Sequence, residues 1–382
     1  MEAGLDRALV SVFSVLDDPR QAGKVLYPLP EIVLLLLCAT LAGADDFVEV
    51  ALWGEQNLAF LRRLLPYRRG IPSHDTLCEV IAQLDPALFR QCFTSWVAGL
   101  QEAAPSAPGP EVVAIDGKTS RRSHARRQGR EPLHLVSAWA CRQRLVLGQQ
   151  AVDGKSNEIT AIPLLLQRLE LAGALVTIDA MGTQTAIAET IRARGGDYLL
   201  ALKANHPLLH AEVETLFAAP PPEVEVEAHR TVDADHDRIE TRDHAVCHQV
   251  DWLFSDRRYP GEPRFPGLAM IGMVDSTTER NGRIEHERRY YLCSTRLDAA
   301  TFARAVRAHW GIENRLHWVL DVVFREDLAR LRTGHGPANM AVVRHFALNL
   351  LSQAKPTTSL KNRRKLAAWN RDYLEMLLRG SA

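Results

Sequence analysis

Two aspartates of this 382-residue chain lie where a protein commonly places metal ligands. Asp116 and Asp179 each follow a short apolar run, 112–115 and 175–178, that predicts a buried strand. A carboxylate at the end of a buried strand is rigid and partly desolvated, so it favours a bound cation. An aspartate in this position is more often a turn former or a helix cap, and neither residue alone indicates catalysis.

A third acid, Glu313, lies in a segment with helical spacing. Ile312 and Leu316 predict the apolar side of a helix, and Glu313 and His317 lie four residues apart on an adjacent face. A glutamate at the edge of a core-facing surface can bind a cation. The same spacing also fits an exposed glutamate that pairs with Arg315, and the pattern alone leaves both interpretations open.

A basic segment follows Asp116 directly. Between residues 118 and 130 there are six lysine or arginine residues and no acid, which suits a phosphate-binding loop beside the aspartate. A solvated loop without a ligand is the alternative. The six residues are Lys118, Arg121, Arg122, Arg126, Arg127 and Arg130.

Composition places the chain among globular proteins of roughly two domains, with 46% hydrophobic residues. The longest uncharged apolar run, 32–44, is shorter than the roughly 20 residues that span a bilayer, and the first residues do not resemble a secretory signal. We therefore expect a cytoplasmic protein with no membrane contact. The net charge is zero, so any argument for nucleic-acid binding has to be local.

The pattern of elements changes along the chain. Helical spacing predicts a helical domain over residues 1–102, either a bundle or one that contains a helix-turn-helix, and three prolines predict a linker over 103–110. Residues 111–355 are predicted to form an α/β domain that starts in the order β-β-β-α-β-α-β. A β-rich insertion is predicted at about 204–298, and residues 356–382 form a basic tail.

Five motifs in this order resemble the DDE transposases of bacterial insertion sequences, and most closely their H-repeat-associated subgroup. The resemblance covers nearly the whole chain, since residues 17–96 also resemble the helical domain that accompanies this core. It implies a ribonuclease-H-like catalytic core, with a mixed five-stranded sheet and flanking helices. The motifs occupy residues 114–118, 179–184, 201–205, 238–242 and 309–321.

The resemblance also implies a reaction. Asp116, Asp179 and Glu313 would hold two Mg²⁺ ions, roughly 3.5 to 4 Å apart, for which Mn²⁺ substitutes. Water would cleave a phosphodiester at the end of the element, and the freed 3′-hydroxyl would then attack target DNA. The implied partners are double-stranded DNA, as terminal inverted repeats and as target, and a second copy of the chain. The protein would then associate with the nucleoid when bound to DNA.

Charge and resemblance together nominate the residues that contact DNA. The first three come from the basic segment, the next four from the motifs, and the last flanks Glu313. They are Lys118, Arg121, Arg122, Lys203, Asn205, Arg238, Arg242 and Arg315.

One departure from the wider group of related transposases concerns its Tyr, Arg, Glu, Lys signature. The matching positions here are Val306, His309, Glu313 and Leu320, so only the glutamate is kept. Arg307 and Arg315 are candidates for the missing base. Asp321 and Glu326 are alternatives for the third acid.

Two other functions are compatible with the same residues. An inactive or domesticated transposase would bind DNA without cutting it, and a metal nuclease would cut DNA without strand transfer.

Overall fold

The computed structural model describes residues 7–103, 109–124, 129, 131–152, 157–235, 238–254, 264–354 and 358–380. Most of the predicted linker, residues 104–108, lies outside these ranges. Within them the chain forms two compact units. Unit 1 contains Met1–Ala107, Gly117–Ser156 and Glu313–Ala382, and unit 2 contains Pro108–Asp116 and Asn157–Ile312.

The middle of the chain contains both strands and helices, whereas the described parts before Val112 and after Cys293 are helical. None of the helices in the described ranges is long and apolar enough to cross a membrane. The helices are α1 Arg7–Ser14, α2 Leu29–Leu41, α3 Phe47–Gln56, α4 Leu58–Leu61, α5 His74–Gln83, α6 Pro86–Ala103, α7 Glu158–Leu166, α8 Thr185–Ala193, α9 Pro207–Ala218, α10 Ala299–His309, α11 Trp318–Val322, α12 Gly336–Gln353, α13 Leu360–Trp369 and α14 Arg371–Arg379. The strands are β1 Val112–Ser120, β2 Leu133–Ala140, β3 Leu145–Ala151, β4 Leu175–Ile178, β5 Asp197–Leu202, β6 Glu227–Asp235, β7 Arg238–Cys247, β8 Met270–Arg280 and β9 Arg283–Cys293.

Unit 1 is built around α12, which is buried along most of its length. Its Phe346 ring packs against Phe13 of α1 and against Phe89 and Phe93 of α6, at centroid distances of 5.5, 6.1 and 4.9 Å. Aromatic contacts of this kind bury large apolar areas and fix the angles between helices. The Asn349 side chain of α12 also accepts from and donates to the backbone of Val146 in β3, which fastens the helix to the strand.

Local capping explains where several of these helices begin. The Ser73 hydroxyl accepts a hydrogen bond from the Thr76 amide at the start of α5. Asp298 does the same for α10, with its carboxylate 2.6 Å from the Thr301 amide. Each cap satisfies a backbone amide that has no partner within the helix.

The strands form one nine-stranded mixed sheet in the order β3-β2-β1-β4-β5-β9-β8-β7-β6. In unit 2, β1 pairs with β4 and β4 pairs with β5 in parallel, whereas β5, β9, β8, β7 and β6 pair antiparallel in succession. The predicted α/β class with a mixed sheet is confirmed. The sheet has nine strands and not five, because β6–β9 continue it from the edge of β5.

The four strands β6–β9 extend beyond the core as two long hairpins. Their inner ends are buried around Phe302 of α10, and their outer ends are exposed. Cross-strand ion pairs link the outer parts, such as Arg230 with Asp243 and Arg288 with Asp275, which are direct neighbours in register. Opposite charges at paired positions help to fix the register of the hairpins.

Candidate metal centre

The two aspartates follow the paired part of two neighbouring parallel strands. Ile115 of β1 lies opposite Ile178 of β4, so Asp116 and Asp179 are the next residues along the chain. Asp179 follows the last residue of β4, as predicted, but the prediction that Asp116 ends its strand is wrong, because β1 continues to Ser120. Both aspartates are half-buried. Unit 2 therefore brings the first two predicted acids next to each other, beyond the carboxyl end of β4.

Asp179 is also a turn former. Its Oδ1 accepts hydrogen bonds from the amides of Met181 and Gly182, at 3.1 and 3.3 Å. The turn needs glycine at position 182, because a Cβ there would overlap the Ile178 side chain. One carboxylate oxygen is thus fixed by the backbone, which orients the whole group.

Residues that follow β5 brace this turn. The Thr183 hydroxyl donates to the carbonyl of Ala201 at 2.5 Å, and the Asn205 amide donates to the carbonyl of Ala180 at 2.8 Å. His206 Nε2 donates to the carbonyl of Thr183 at 2.6 Å. The motifs at 179–184 and 201–205 therefore form one hydrogen-bonded structure. The bracing roles of Thr183 and His206 were not predicted, since the only signal for them in the sequence is their place in and beside those motifs.

The helix that leads to Glu313 is tied to the strand that leads to Asp179. The ring Nδ1 of His309, at the end of α10, is hydrogen-bonded to Thr177 Oγ1 of β4 at 2.9 Å. Burial lowers the pKa of His309, although the charge of Asp179 opposes the shift. A neutral imidazole therefore replaces the arginine of the wider signature and serves here as a link between α10 and β4.

Glu313 begins a turn of π-helix, Glu313–His317, that runs into α11. Ile312 and Leu316 are fully buried, as predicted for the apolar side, whereas Glu313 is exposed and His317 is only 6% exposed. π turns are rare and frequent at functional sites.

In unit 1, Glu313 and His317 have ligand atoms that lie within 4.8 Å of each other. A carboxylate and an imidazole are donors that fit a divalent cation. Glu313 is therefore accompanied by a second residue that is able to bind a cation, whereas Asp116 and Asp179 belong to unit 2.

Lys118, two residues after Asp116, lies among acids. Its Nζ is 2.7 Å from Asp321, 3.2 Å from Glu326 and 3.6 Å from Asp327, and its side chain is 11% exposed. Burial by itself would lower the pKa of Lys118, but the charges of Glu326, Asp321 and Asp327 together raise it above its usual value. The ammonium group is therefore charged and bound to protein carboxylates.

Glu326 is buried between Lys118 and Arg344, whose Nη1 lies 3.4 Å from its Oε1. Burial would raise the pKa of Glu326, but the charges of Arg344 and Lys118 outweigh it and hold that pKa below its usual value. The two acids considered as alternatives to Glu313, Asp321 and Glu326, thus both have Lys118 as a cationic partner in unit 1.

Two histidines of unit 1 are kept neutral by burial. Desolvation lowers the pKa of His317 to about 4 and that of His345 to about 4. The charge of Lys118 adds to the shift at His317, and Glu326 opposes it at both residues. A neutral imidazole keeps a lone pair that can bind a metal ion.

The candidate DNA contacts fall into two classes. Arg122, Lys203 and Arg315 are exposed, and Arg121 is 81% exposed although its Nε lies 3.3 Å from Asp327. The guanidinium group of Arg242 is only 12% exposed, at 2.6 Å from both Asp233 and Glu240.

The remaining DNA candidates also have protein partners or lie outside the described ranges. Arg238 pairs with Glu240 at 2.7 Å, and the Asn205 amide belongs to the brace described above. The other basic residues of the segment after Asp116 lie outside the described residues; they are Arg126, Arg127 and Arg130.

Comparison with known proteins identifies the family. Residues 107–350 match the family described as Transposase DDE domain, and residues 10–97 match the family described as DDE_Tnp_1-associated. The chain belongs to the DDE transposases. The resemblance predicted from five sequence motifs is thereby confirmed. Membership implies a ribonuclease-H-like fold, DNA binding and the use of a divalent metal ion.

Three relatives show how the similarity is distributed. The "H repeat-associated putative transposase YhhI" of Escherichia coli (strain K12) is 37% identical over 379 residues, 98% of either chain. The "Putative transposase YncI" of Escherichia coli O157:H7 is 38% identical over 380 residues, 97% of this transposase and 94% of the relative. The "Inactive transposase YbfQ" of strain K12 is 38% identical over 77 residues, 20% of this transposase.

Proposed function

We propose that the protein is an active DNA transposase, which cleaves phosphodiester bonds at the ends of an element and joins the freed strands to target DNA. Asp116, Asp179 and Glu313 are the acids that bind the catalytic cation. The observation that carries this proposal is the parallel pairing of β1 with β4 in unit 2, which brings Asp116 and Asp179 next to each other directly after the paired residues Ile115 and Ile178. All three acids lie inside the matched DDE domain.

The acids have unequal tasks in this proposal. Asp116 and Glu313 contribute their carboxylates, whereas Asp179 contributes Oδ2, since its Oδ1 holds the turn at Met181 and Gly182. When bound, a divalent cation would supply Lewis-acid polarisation of the phosphate and a deprotonated water or 3′-hydroxyl. Within unit 2, the brace from Asn205 holds the turn of Asp179, and the hydrogen bond of His309 to Thr177 holds α10 against β4.

The phosphate contacts follow from exposure. We assign phosphate binding to Arg121, Arg122, Lys203 and Arg315, whose charged groups are open to solvent. The other four candidates keep a positioning task, because their polar atoms are engaged by protein groups; they are Lys118, Asn205, Arg238 and Arg242. Arg315, in the π turn, takes the place of the missing signature lysine.

Several expectations accompany this function. The catalytic domain extends over residues 111–355, with the helical domain of residues 1–102 before it and the basic tail of 356–382 after it. Joining two element ends requires a homodimer on DNA. Mg²⁺ or Mn²⁺ is the cation, and the reaction takes place on the bacterial nucleoid in the cytoplasm.

The test uses the full chain and a duplex that carries the terminal repeat. With Mg²⁺ or Mn²⁺ the protein nicks this duplex, and Asp116→Asn, Asp179→Asn and Glu313→Gln each reduce nicking to background while duplex binding persists. Glu285→Gln, at an exposed position of β9, is the matched control and keeps full activity. Undiminished nicking by Glu313→Gln would overturn the assignment of the third acid.

A second reaction separates the candidate functions. A supercoiled target plasmid is added, and covalent joining of the repeat end to it identifies a transposase. Nicking without joined product identifies a nuclease. In a third outcome the unaltered chain binds the duplex and does not cut it, which identifies an inactive transposase. The partly matching relative YbfQ carries that description in its name.

A further inference from the structure

We infer that His317 is a protein ligand of the cation at Glu313, and that this nitrogen ligand gives the site a preference for a first-row transition metal ion such as Mn²⁺ over Mg²⁺. The inference rests on the proposed function, since it concerns the same cation. It adds a residue that lies outside the acidic triad.

The backbone places Glu313 and His317 on one side of the helix. They are the first and last residues of the π turn, in which hydrogen bonds span five residues and not four. The wider turn has more residues per turn than an α-helix, so positions four apart come closer to the same direction. Their ligand atoms accordingly lie within 4.8 Å of each other, as a chelating pair requires.

Burial makes His317 the fixed member of this pair. His317 is 6% exposed, and the nearby residues Leu316 and Val319 are buried as well. Glu313 is exposed and its side chain has rotamer freedom to lose when it binds a cation. A ligand atom held by packing in advance loses little entropy, so the imidazole is the anchor to which the carboxylate closes.

The chemistry of an imidazole ligand determines the preferred ion. Mg²⁺ requires near-ideal octahedral oxygen ligands and retains several waters, and protein sites usually give it one or two carboxylates. Imidazole nitrogen suits transition metal ions, and affinity rises along the first row from Mn²⁺. A site that combines the Glu313 carboxylate with the His317 imidazole therefore binds Mn²⁺ more tightly than Mg²⁺, although both ions have the same charge.

The competing interpretation is that His317 only fills space beside the buried charges of Lys118 and Glu326, which act on it electrostatically. A filling residue would leave no nitrogen signal on the metal. Pulsed electron paramagnetic resonance of Mn²⁺ bound to the full chain detects a coordinated imidazole through its ¹⁴N modulation. This readout is independent of catalytic activity.

The expected result is ¹⁴N modulation in the unaltered protein, its loss in His317→Gln and its retention in His286→Gln. His286, in the exposed part of β9 and hydrogen-bonded to Thr277, is the matched control. Calorimetric titration of the same proteins gives the affinities. His317→Gln weakens Mn²⁺ binding at least tenfold, about the lower bound for loss of a supporting contact, and changes Mg²⁺ binding much less.

A variant-free measurement covers the case in which His317→Gln does not fold. Labelling all histidines with ¹⁵N replaces the ¹⁴N modulation by ¹⁵N couplings if a histidine is the ligand and leaves it unchanged otherwise. Bound Mn²⁺ without histidine coupling overturns the inference, as does modulation that survives in folded His317→Gln. Mn²⁺ affinity that is unchanged in Asp116→Asn and in Glu313→Gln is a different outcome, which overturns the proposed function itself.

Discussion

At the scale of single residues, Glu326 is buried between two cations, Lys118 and Arg344. Removing one member of a buried ion pair leaves the other charge desolvated and without compensation. Glu326→Ala should therefore lower the free energy of unfolding by about 3–5 kcal/mol, measured by denaturant titration. Arg238→Ala removes a half-exposed pair with Glu240 and should change the same quantity by less than about 1 kcal/mol. Equal losses in the two variants would contradict the burial argument.

His345 makes the stability of unit 1 dependent on pH. Burial lowers the pKa of His345 to about 4 in the folded chain, against 6.5 for an exposed imidazole, so the unfolded state binds the proton first as pH falls. The stabilisation is complete above pH 6.5 and is lost as pH falls towards 4. We expect the free energy of unfolding to fall by about 2 kcal/mol between pH 7 and pH 5 on account of this residue.

Denaturant titrations at several pH values measure this dependence. His345→Gln removes the titrating group, so its stability should fall less steeply over the same interval. A slope identical to that of the unaltered protein would show that His345 does not carry the effect.

The sequence predicts some of these residues and not others. Asp116 and Asp179 could be found because each follows a visible apolar run, although the sequence does not show that β1 continues past Asp116 to Ser120. The partners of Lys118 could not be found, because Asp321, Glu326 and Asp327 lie about two hundred residues further along the chain. A lysine beside a candidate metal ligand looks like a phosphate contact until those partners are known.

At the scale of elements, the turn after β4 depends on Gly182. A methyl group at this position overlaps Ile178 and also contacts Ile162, so the turn that holds Asp179 has to shift. Gly182→Ala should destabilise the protein by about 1–3 kcal/mol and reduce nicking in the same preparation. Gly99→Ala is the matched control in α6, where an added methyl group meets no atom within 4 Å.

The control should move stability in the opposite direction. Alanine is a better helix former than glycine by about 1 kcal/mol, so Gly99→Ala should raise the melting temperature slightly. A melting temperature that falls in Gly99→Ala and stays constant in Gly182→Ala would be the reverse of this expectation.

Helices and strands with strong local patterns can be predicted from the sequence, whereas the backbone hydrogen bonding within and between them cannot. The runs that became β1, β4 and β5 stand out as short apolar stretches, and α10 has a clear cap at Asp298. The π turn could not be predicted, since Glu313 and His317 have the spacing of an ordinary α-helix. A π turn and an α-helix show the same spacing of apolar and polar residues here, and only their backbone hydrogen bonds differ.

At the scale of the whole molecule, zero net charge means that DNA is bound by a few local cations. Each cation that neutralises a phosphate contributes about one unit to the dependence of log affinity on log salt concentration. Arg122→Ala should therefore reduce that slope by about one. Arg242→Ala should leave it unchanged, because Asp233 and Glu240 already neutralise its charge.

Fluorescence anisotropy of a repeat-end duplex, repeated over a range of salt concentrations, measures these slopes. The unaltered chain and both variants are compared under the same conditions. A smaller slope in Arg242→Ala would show that a DNA phosphate displaces Asp233 and Glu240 from the guanidinium group. Arg242 would then be a phosphate contact, as the sequence predicts.

The size of the sheet could not be derived from local patterns. Alternation predicts a β-rich insertion at about 204–298, but it does not say whether its strands form a separate sheet or extend one that already exists. The pairing of β9 with the edge of β5 decides this, and it joins residues about ninety positions apart. Such pairings depend on which edge is open, a property of the folded core.

The three-segment composition of unit 1 has a consequence for the synthesis of the protein. Its first helices emerge from the ribosome early, but α12, against which α2, α5 and α6 pack, is translated more than two hundred residues later. We therefore expect the apolar face of α6 that packs on α12 to stay exposed on the nascent chain until then. A copy interrupted before α12 would therefore yield an aggregation-prone polypeptide and not a smaller functional fragment, so a frameshift late in the gene should eliminate the protein as thoroughly as an early one.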